Sequence, residues 1–129
     1  MAAKRAFISF DFDHEADLRL LLAGQAKHPD TPFEIHDWSV KEPFIGNWRD
    51  KVRTKIRQTD LTIVICGEST HKATGVAAEL SITREEQHPY FLLAGRANRT
   101  CRPPTTALAT DKIYKWTWDN LKALVDGRR

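Results

Sequence analysis

The segment from Leu61 to Glu86 limits what this chain can fold into more than any other part of the sequence. It opens with LTIVIC (61–66), a short apolar run rich in β-branched residues, which is typical of a strand buried on both faces of a parallel sheet. After a short turn the pattern becomes helical, with Thr74 as the expected N-cap and His88 as the last residue before Pro89 stops the helix. The segment therefore predicts a strand followed by a helix, the repeating unit of an α/β fold.

Glu79 stands out within this helix, because it is the only charged residue between Ala73 and Thr83. Acidic residues are common in the first turn of a helix, where the helix dipole favours negative charge. With Thr74 as the N-cap, however, Glu79 is five positions in, and the capping-box position holds Ala77 instead. A structural and a functional role for Glu79 both remain open from the pattern.

Strand and helix signals alternate along the rest of the chain. The strand at 33–36 alternates apolar and polar residues as an edge strand does, and Asp37 to Ser39 then leave it. Thr117 is the expected N-cap of the last helix. This order predicts an α/β fold with a mostly parallel sheet and right-handed crossovers. We expect strands at residues 5–10, 33–36, 61–66, 90–94 and 112–116, and helices at residues 18–26, 48–57, 74–88 and 118–125.

The candidate binding site lies at the carboxyl ends of the predicted strands, where ligands bind in sheets of this kind. Residues 9–14, 37–39 and 67–69 follow three of the strands and gather there, beside the start of the helix that carries Glu79. These segments are polar, acidic and aromatic, which is the composition that a binding cleft needs. The candidate ligand-binding residues are Ser9, Phe10, Asp11, Asp37, Trp38 and Ser69.

Two other features favour different functions. Asp11 and Asp13 would suit the Mg²⁺ site of a phosphoacceptor receiver domain, but the third strand ends in Cys66 where that site needs an acceptor aspartate. The arginines of the helix at 49–57 could neutralise nucleic-acid phosphates, yet no aromatic platform or groove-reading motif accompanies them, so a solvated helix face is the simpler interpretation. No metal-ligand spacing or nucleophile elbow occurs, so we expect no metal and no cofactor.

Length and composition set the remaining limits. The 129 residues predict a single domain, and 41% hydrophobic with 29% charged residues is ordinary for a globular protein. No apolar run approaches the roughly 20 residues that span a bilayer, and no signal-peptide core follows Met1, so we expect a cytoplasmic protein without membrane contact. A net charge of +3 is too small to indicate a dedicated nucleic-acid partner. Cys66 and Cys101 are expected to be free thiols.

The sequence resembles a known family at several segments. These are KRAFISFDFD (4–13), HDW (36–38) before a Pro-containing loop, and LTIVICGEST (61–70) followed by the helix with Glu79. Together they are similar to the TIR-like family that includes the ThsB proteins of Thoeris antiphage defence. The likeness extends from Lys4 to about Tyr90.

The resemblance implies both a fold and an activity. The fold would be flavodoxin-like, with a five-stranded sheet in the order 2-1-3-4-5 and helices on both faces. Many members cleave the nicotinamide–ribose bond of NAD, so NAD would be the substrate, and Glu79 matches the position of the family's catalytic glutamate. The product would be a nucleotide signal that a downstream effector senses in immune defence.

The sequence departs from the family pattern at Val76, where members often carry a Trp three residues before the glutamate. Val76 keeps an apolar contact with the substrate but cannot stack, which favours the alternative of an inactive TIR-like scaffold or signalling adaptor. Family members also often complete the active site with a loop from a neighbouring subunit. The loop at 40–46 holds Phe44 and Ile45, which predict either contact with a second copy or a trigger protein, or packing on the sheet.

Overall fold

The computed structural model of the protein describes residues 4–11, 17–18, 22–24, 27, 33–38, 48–68, 70–95 and 100–125. Helical backbone occurs at residues 17–18 and 22–24, within the helix predicted at 18–26 or next to its start. The regular elements are β1 Lys4–Ser9, β2 Phe33–Trp38, α1 Trp48–Arg57, β3 Leu61–Cys66, a 3₁₀ helix Thr70–Lys72, α2 Thr74–Glu85, β4 Tyr90–Ala94, β5 Ile113–Lys115 and α3 Trp118–Val125.

The five strands form one sheet in the order β2-β1-β3-β4-β5. Each neighbouring pair is parallel, and Ser9 at the end of β1 lies opposite Val64 of β3. All six residues of β3 are buried, as the apolar run predicted. The predicted fold class, a flavodoxin-like sheet with β2 at its edge, is confirmed.

Helices cover both faces of this sheet. Successive strand residues point to opposite sides, and because both sides carry apolar residues, each side packs against helices. One face packs on α3 and on the helical residues near Leu18 and Leu22, forming a large apolar cluster. The other face packs on α1 and α2 and carries two smaller apolar clusters. Trp48, Val52 and Ile56 of α1 are buried there, as their spacing predicted.

Three predicted strands have different bounds in the structure. β1 is Lys4–Ser9 instead of residues 5–10, because Phe10 lies just past the paired part of the strand. The chain does not leave β2 after residue 36, because Asp37 and Trp38 pair with Phe7 and Ile8 of β1. The register shifts just before them, where β2 has one residue more between Ile35 and Asp37 than β1 has between Ala6 and Phe7. The edge strand is therefore two residues longer than its alternating pattern indicated. At the other edge, β5 is limited to Ile113–Lys115, shorter than the predicted 112–116.

The ends of α2 also differ from the prediction. Ala73, in an extended conformation, precedes the first helical residue, so Thr74 is not the N-cap. The helix ends at Glu85 instead of His88, because Gln87 has a left-handed φ of 55° and the N–H of His88 bonds to the carbonyl of Thr83. The predicted N-cap of α3 is confirmed, since the Thr117 hydroxyl accepts from the N–H of Asn120 at 3.1 Å.

Candidate functional site

Ser9 and Glu79 meet where β1 ends beneath α2. Ser9 is the last residue of β1 and shares the face of Phe7, so its side chain points towards α2. The Ser9 hydroxyl donates a hydrogen bond of 2.7 Å to Oε1 of Glu79. Ser9 is 0% exposed and Glu79 2% exposed, so the contact is shielded from water. An ionised group in such a place is expensive unless hydrogen bonds stabilise it.

The position of Glu79 in α2 excludes a role at the helix N-terminus. The cap residue is Ala73, which makes no side-chain capping hydrogen bond, and the first turn contains no acidic residue. Glu79 is therefore six positions past the cap, beyond the range in which the helix dipole favours a carboxylate. The capping explanation that the sequence left open does not hold.

Two threonines continue the polar contacts from Glu79 along the same interface. The Thr83 hydroxyl donates to the backbone carbonyl of Glu79 at 2.8 Å, and its oxygen lies 3.1 Å from the hydroxyl of Thr62 on β3. Because Thr83 uses its one proton on the carbonyl, Thr62 is the donor in the second contact. We call the four residues Ser9, Thr62, Glu79 and Thr83 the polar seam; all four are buried.

The connection between β4 and β5 is fastened to β3 and α2. The N–H of Arg102 donates to the carbonyl of Gly67 at 2.9 Å, just after β3 ends. The Thr106 hydroxyl donates to the carbonyl of Ala77 at 2.7 Å, and Arg84 donates back to the carbonyl of Thr106. This connection therefore holds the half of α2 that carries Glu79. The sequence indicated only an irregular basic segment here, because contacts to backbone carbonyls leave no pattern of residue types.

The other predicted binding residues are distributed as follows. Asp11 is buried just beyond β1, and Phe10 belongs to the apolar cluster on the α3 side of the sheet. Val76 packs with the smaller cluster around Val64, Cys66, Leu80 and Leu92. Asp37 and Trp38 end β2, but their side chains lie outside the described part of the chain, as do Ser69, Asp13, Phe44 and Ile45. The structure thus brings together Ser9 and Glu79, and contact of the others with a ligand stays a prediction.

The basic face of α1 is paired within the protein. Arg53 bonds to Glu85, the last residue of α2, at 2.7 Å and to Glu86, which follows it, at 2.8 Å. Arg57 also bonds to Glu86, and Arg49 lies 3.7 Å from Glu85. Hydrogen bonds from Arg57 and then from Arg53 lower the pKa of Glu86 to about 2. These ion pairs join α1 to α2 outside the polar seam. The arginine spacing of four was the sequence signal for this face, but it did not identify the partners.

No group of three or more His, Cys, Asp or Glu residues that could hold a metal ion occurs in the described residues. Within the same ranges, no helix is long and apolar enough to cross a membrane. Cys66 and Cys101 are free thiols, as expected.

The fold of this chain is similar to that of a protein of known structure. A prokaryotic SEFIR domain of known structure superposes with a TM-score of 0.54 at 15% identity, covering 97% of this chain and 95% of that one. At this identity the likeness concerns the fold alone. No curated protein matches the chain significantly.

The match to a family model defines the chain as a TIR-like module. The sequence model of the TIR-like domain of the Thoeris protein ThsB matches residues 7–99. The chain therefore belongs to the ThsB TIR-like family, which confirms the resemblance found in the sequence.

Proposed function

We propose that the protein cleaves the N-glycosidic bond between nicotinamide and ribose in NAD, with Glu79 as the catalytic carboxylate. The observation that supports this most is the burial of Glu79 in the helix–sheet interface, where the Ser9 hydroxyl holds one of its oxygens. Membership of a TIR-like family, in which many proteins carry out this reaction, supports the choice of NAD.

The chemistry requires little more than a well-placed negative charge. As the bond to nicotinamide breaks, positive charge develops on the ribose, and nicotinamide leaves as a neutral ring from a cationic substrate. A carboxylate fixed in a water-excluded site stabilises that charge far better than one in water, because the dielectric constant around it is low. Water or a group of the same nucleotide then takes the position of nicotinamide, which gives a linear or a cyclic product. No metal ion is needed for these steps.

The remaining parts of the proposal concern the substrate contacts and the partners. Asp37 and Trp38 are the last residues of β2, and Asp11 and Ser69 come after β1 and β3, the next two strands of the sheet. We propose that these four residues contact NAD. Phe10 and Val76 would support this cleft from the core. The nucleotide product would act in the cytoplasm as an immune signal for a downstream effector, and self-association or a trigger protein would switch the enzyme on.

A second function has one specific observation in its favour. Val76 stands where family members often carry a Trp, and it is 1% exposed within an apolar cluster. A side chain in that position contributes to folding and offers no stacking surface to a nicotinamide ring. The same module would then act as a scaffold or adaptor that binds other proteins, without turnover.

Incubation with NAD and chromatography of the products separates these two functions. The enzyme should release free nicotinamide together with an ADP-ribose product, and the rate should be unchanged by EDTA. Because activation by association is part of the proposal, the assay should cover a hundredfold range of protein concentration and include a crowding agent. Intact NAD under all of these conditions would favour the scaffold, and loss of activity in EDTA that Mg²⁺ restores would revive a metal site at Asp11.

A further inference from the structure

The contact between Ser9 and Glu79 joins a rigid strand to a flexible side chain. β1 pairs with β2 as far as Ile8 and with β3 as far as Ser9, so the pairing of Ser9 with Val64 fixes its backbone against β3. A glutamate has three rotatable side-chain bonds, and helix position alone does not decide where its carboxylate points. We infer that Ser9 is a positioning residue, which orients the Glu79 carboxylate for the proposed reaction through their 2.7 Å hydrogen bond. This inference rests on the proposed function.

The strength of the contact is sufficient for this role. A hydrogen bond from a hydroxyl to a carboxylate, in a site shielded from water, is among the stronger ones in proteins. The carbonyl of Glu79 accepts from Thr83, so both the backbone and the carboxylate of this residue are held. A displacement of about 1 Å at a reacting group can reduce a rate by about 100-fold. Loss of the Ser9 hydroxyl should therefore affect turnover out of proportion to its effect on stability.

Ser9 was predicted from the sequence as a ligand-binding residue, and its hydrogen bond to Glu79 points to an indirect role instead. It is 0% exposed, and its one proton is used on Glu79. A residue that binds substrate directly lowers KM, whereas one that orients a charge for the transition state acts on kcat. The two roles therefore predict different kinetic changes.

Thr62 offers a matched control for the loss of a buried hydroxyl. Like Ser9, it is 0% exposed, belongs to a strand of the same sheet and points towards α2. Its hydroxyl, however, donates to the side chain of Thr83 and not to the carboxylate of Glu79. Thr62→Val keeps the shape of the side chain and removes only this hydroxyl, so it reports what such a loss costs in folding.

The experiment measures nicotinamide release and thermal unfolding for wild type, Ser9→Ala, Ser9→Thr and Thr62→Val. We expect Ser9→Ala to lower kcat by about 10- to 100-fold with KM nearly unchanged, since a hydrogen bond to a charged group has about this value. Ser9→Thr, which retains a hydroxyl, should recover most of the rate. Thr62→Val should keep the wild-type kcat, whatever its effect on the melting temperature.

Several results would overturn the inference. An equal kcat for Ser9→Ala and Thr62→Val would reduce Ser9 to a folding role, and a change confined to KM would make it a substrate contact. If the wild type releases no nicotinamide at all, the proposed function fails first and the inference falls with it.

A spectroscopic comparison tests the contact without any turnover. The infrared difference between a protein and its Glu79→Gln variant isolates the carboxylate bands of Glu79. Measured in the Ser9→Ala background these bands should shift from their wild-type position, and in the Thr62→Val background they should not. Bands that do not move in Ser9→Ala would show that the hydroxyl does not hold this carboxylate in solution.

Discussion

The two faces of the sheet are built differently. The face under α3 is a continuous apolar cluster to which β1, β3 and β4 contribute every second residue. The face under α1 and α2 has its apolar side chains in two clusters, and the polar seam of Ser9, Thr62, Glu79 and Thr83 lies on that face as well. The described residues that form the three apolar clusters and the polar seam are all buried, so exposure does not explain the difference.

The difference indicates how the two faces divide stability and function. Burial of apolar area stabilises a fold, whereas buried polar groups at best recover in hydrogen bonds what they lose in hydration. An apolar replacement of the same shape is often as stable as a buried polar pair. We therefore assign most of the folding free energy to the α3 face, and the proposed chemistry to Glu79 and Ser9 on the other face. This division predicts larger losses of stability for substitutions on the α3 face than for loss of the ion pairs between α1 and α2.

The α3 face should be sensitive to loss of volume. Leu121 of α3 is 0% exposed within the large apolar cluster. Leu121→Ala should lower the free energy of unfolding by about 2–5 kcal/mol, because it loses apolar burial and leaves a cavity. Urea unfolding measures the change, and Leu108→Ala, at a side chain that is 44% exposed, serves as the control with an expected change below about 0.5 kcal/mol. Similar losses in the two variants would contradict the assignment.

Added side-chain volume at Gly95, on the same face, should also lower the stability of the protein. A Cβ at this position would overlap Cδ1 of Leu18 and lie 2.9 Å from Cγ2 of Ile65, and both side chains are buried. Gly95→Ala should therefore destabilise the protein by about 1–3 kcal/mol. In the matched variant Gly75→Ala, on the other face, nothing lies within 4 Å of the new methyl group. That substitution in α2 should be neutral or stabilising by up to about 1 kcal/mol, and a loss there equal to that at Gly95 would refute the packing argument.

The ion pairs between α1 and α2 should make a smaller contribution to the free energy of unfolding, and this contribution should depend on pH. Arg57 and Arg53 hold the pKa of Glu86 at about 2, below its ordinary value of 4.5. Between pH 4.5 and about 2, Glu86 therefore stays ionised in the folded state, whereas it takes up a proton in the unfolded chain. Its contribution is complete above pH 4.5 and is lost as the pH falls through about 2. The difference in unfolding free energy between wild type and Glu86→Gln should shrink over this range and with added salt. A difference that is constant with pH would show that the pair does not form in solution.

The sequence predicted the fold better than it predicted the site. The apolar run of β3 and the alternation of strands and helices were sufficient for the sheet, because buried parallel strands leave a strong local pattern. The extension of β2 to Trp38 follows a register shift between β1 and β2 that no local pattern shows. Glu79 was found because a charge in an apolar helix is unusual. Its contact with Ser9 was not predictable, since it joins side chains 70 residues apart whose directions depend on the packed sheet.

The end of α2 illustrates the same limit. Pro89 indicated that the helix must stop, but the left-handed backbone of Gln87 ends it earlier, at Glu85. This early end places Glu85 and Glu86 against the arginines of α1. The arginine face was visible in the sequence, whereas its acidic partners required the relative placement of two helices.

Nicotinamide release by Glu79→Gln, compared with the wild type, tests the central claim most directly. The amide oxygen of Gln can still accept from Ser9, so we expect a change in the free energy of unfolding of about 1 kcal/mol or less. The charge is gone, so turnover should fall by at least about 100-fold. Glu34→Gln, the same chemical change at an exposed residue of β2, should retain full activity. A folded Glu79→Gln protein that cleaves NAD at the wild-type rate would contradict the assignment of Glu79 as the catalytic carboxylate.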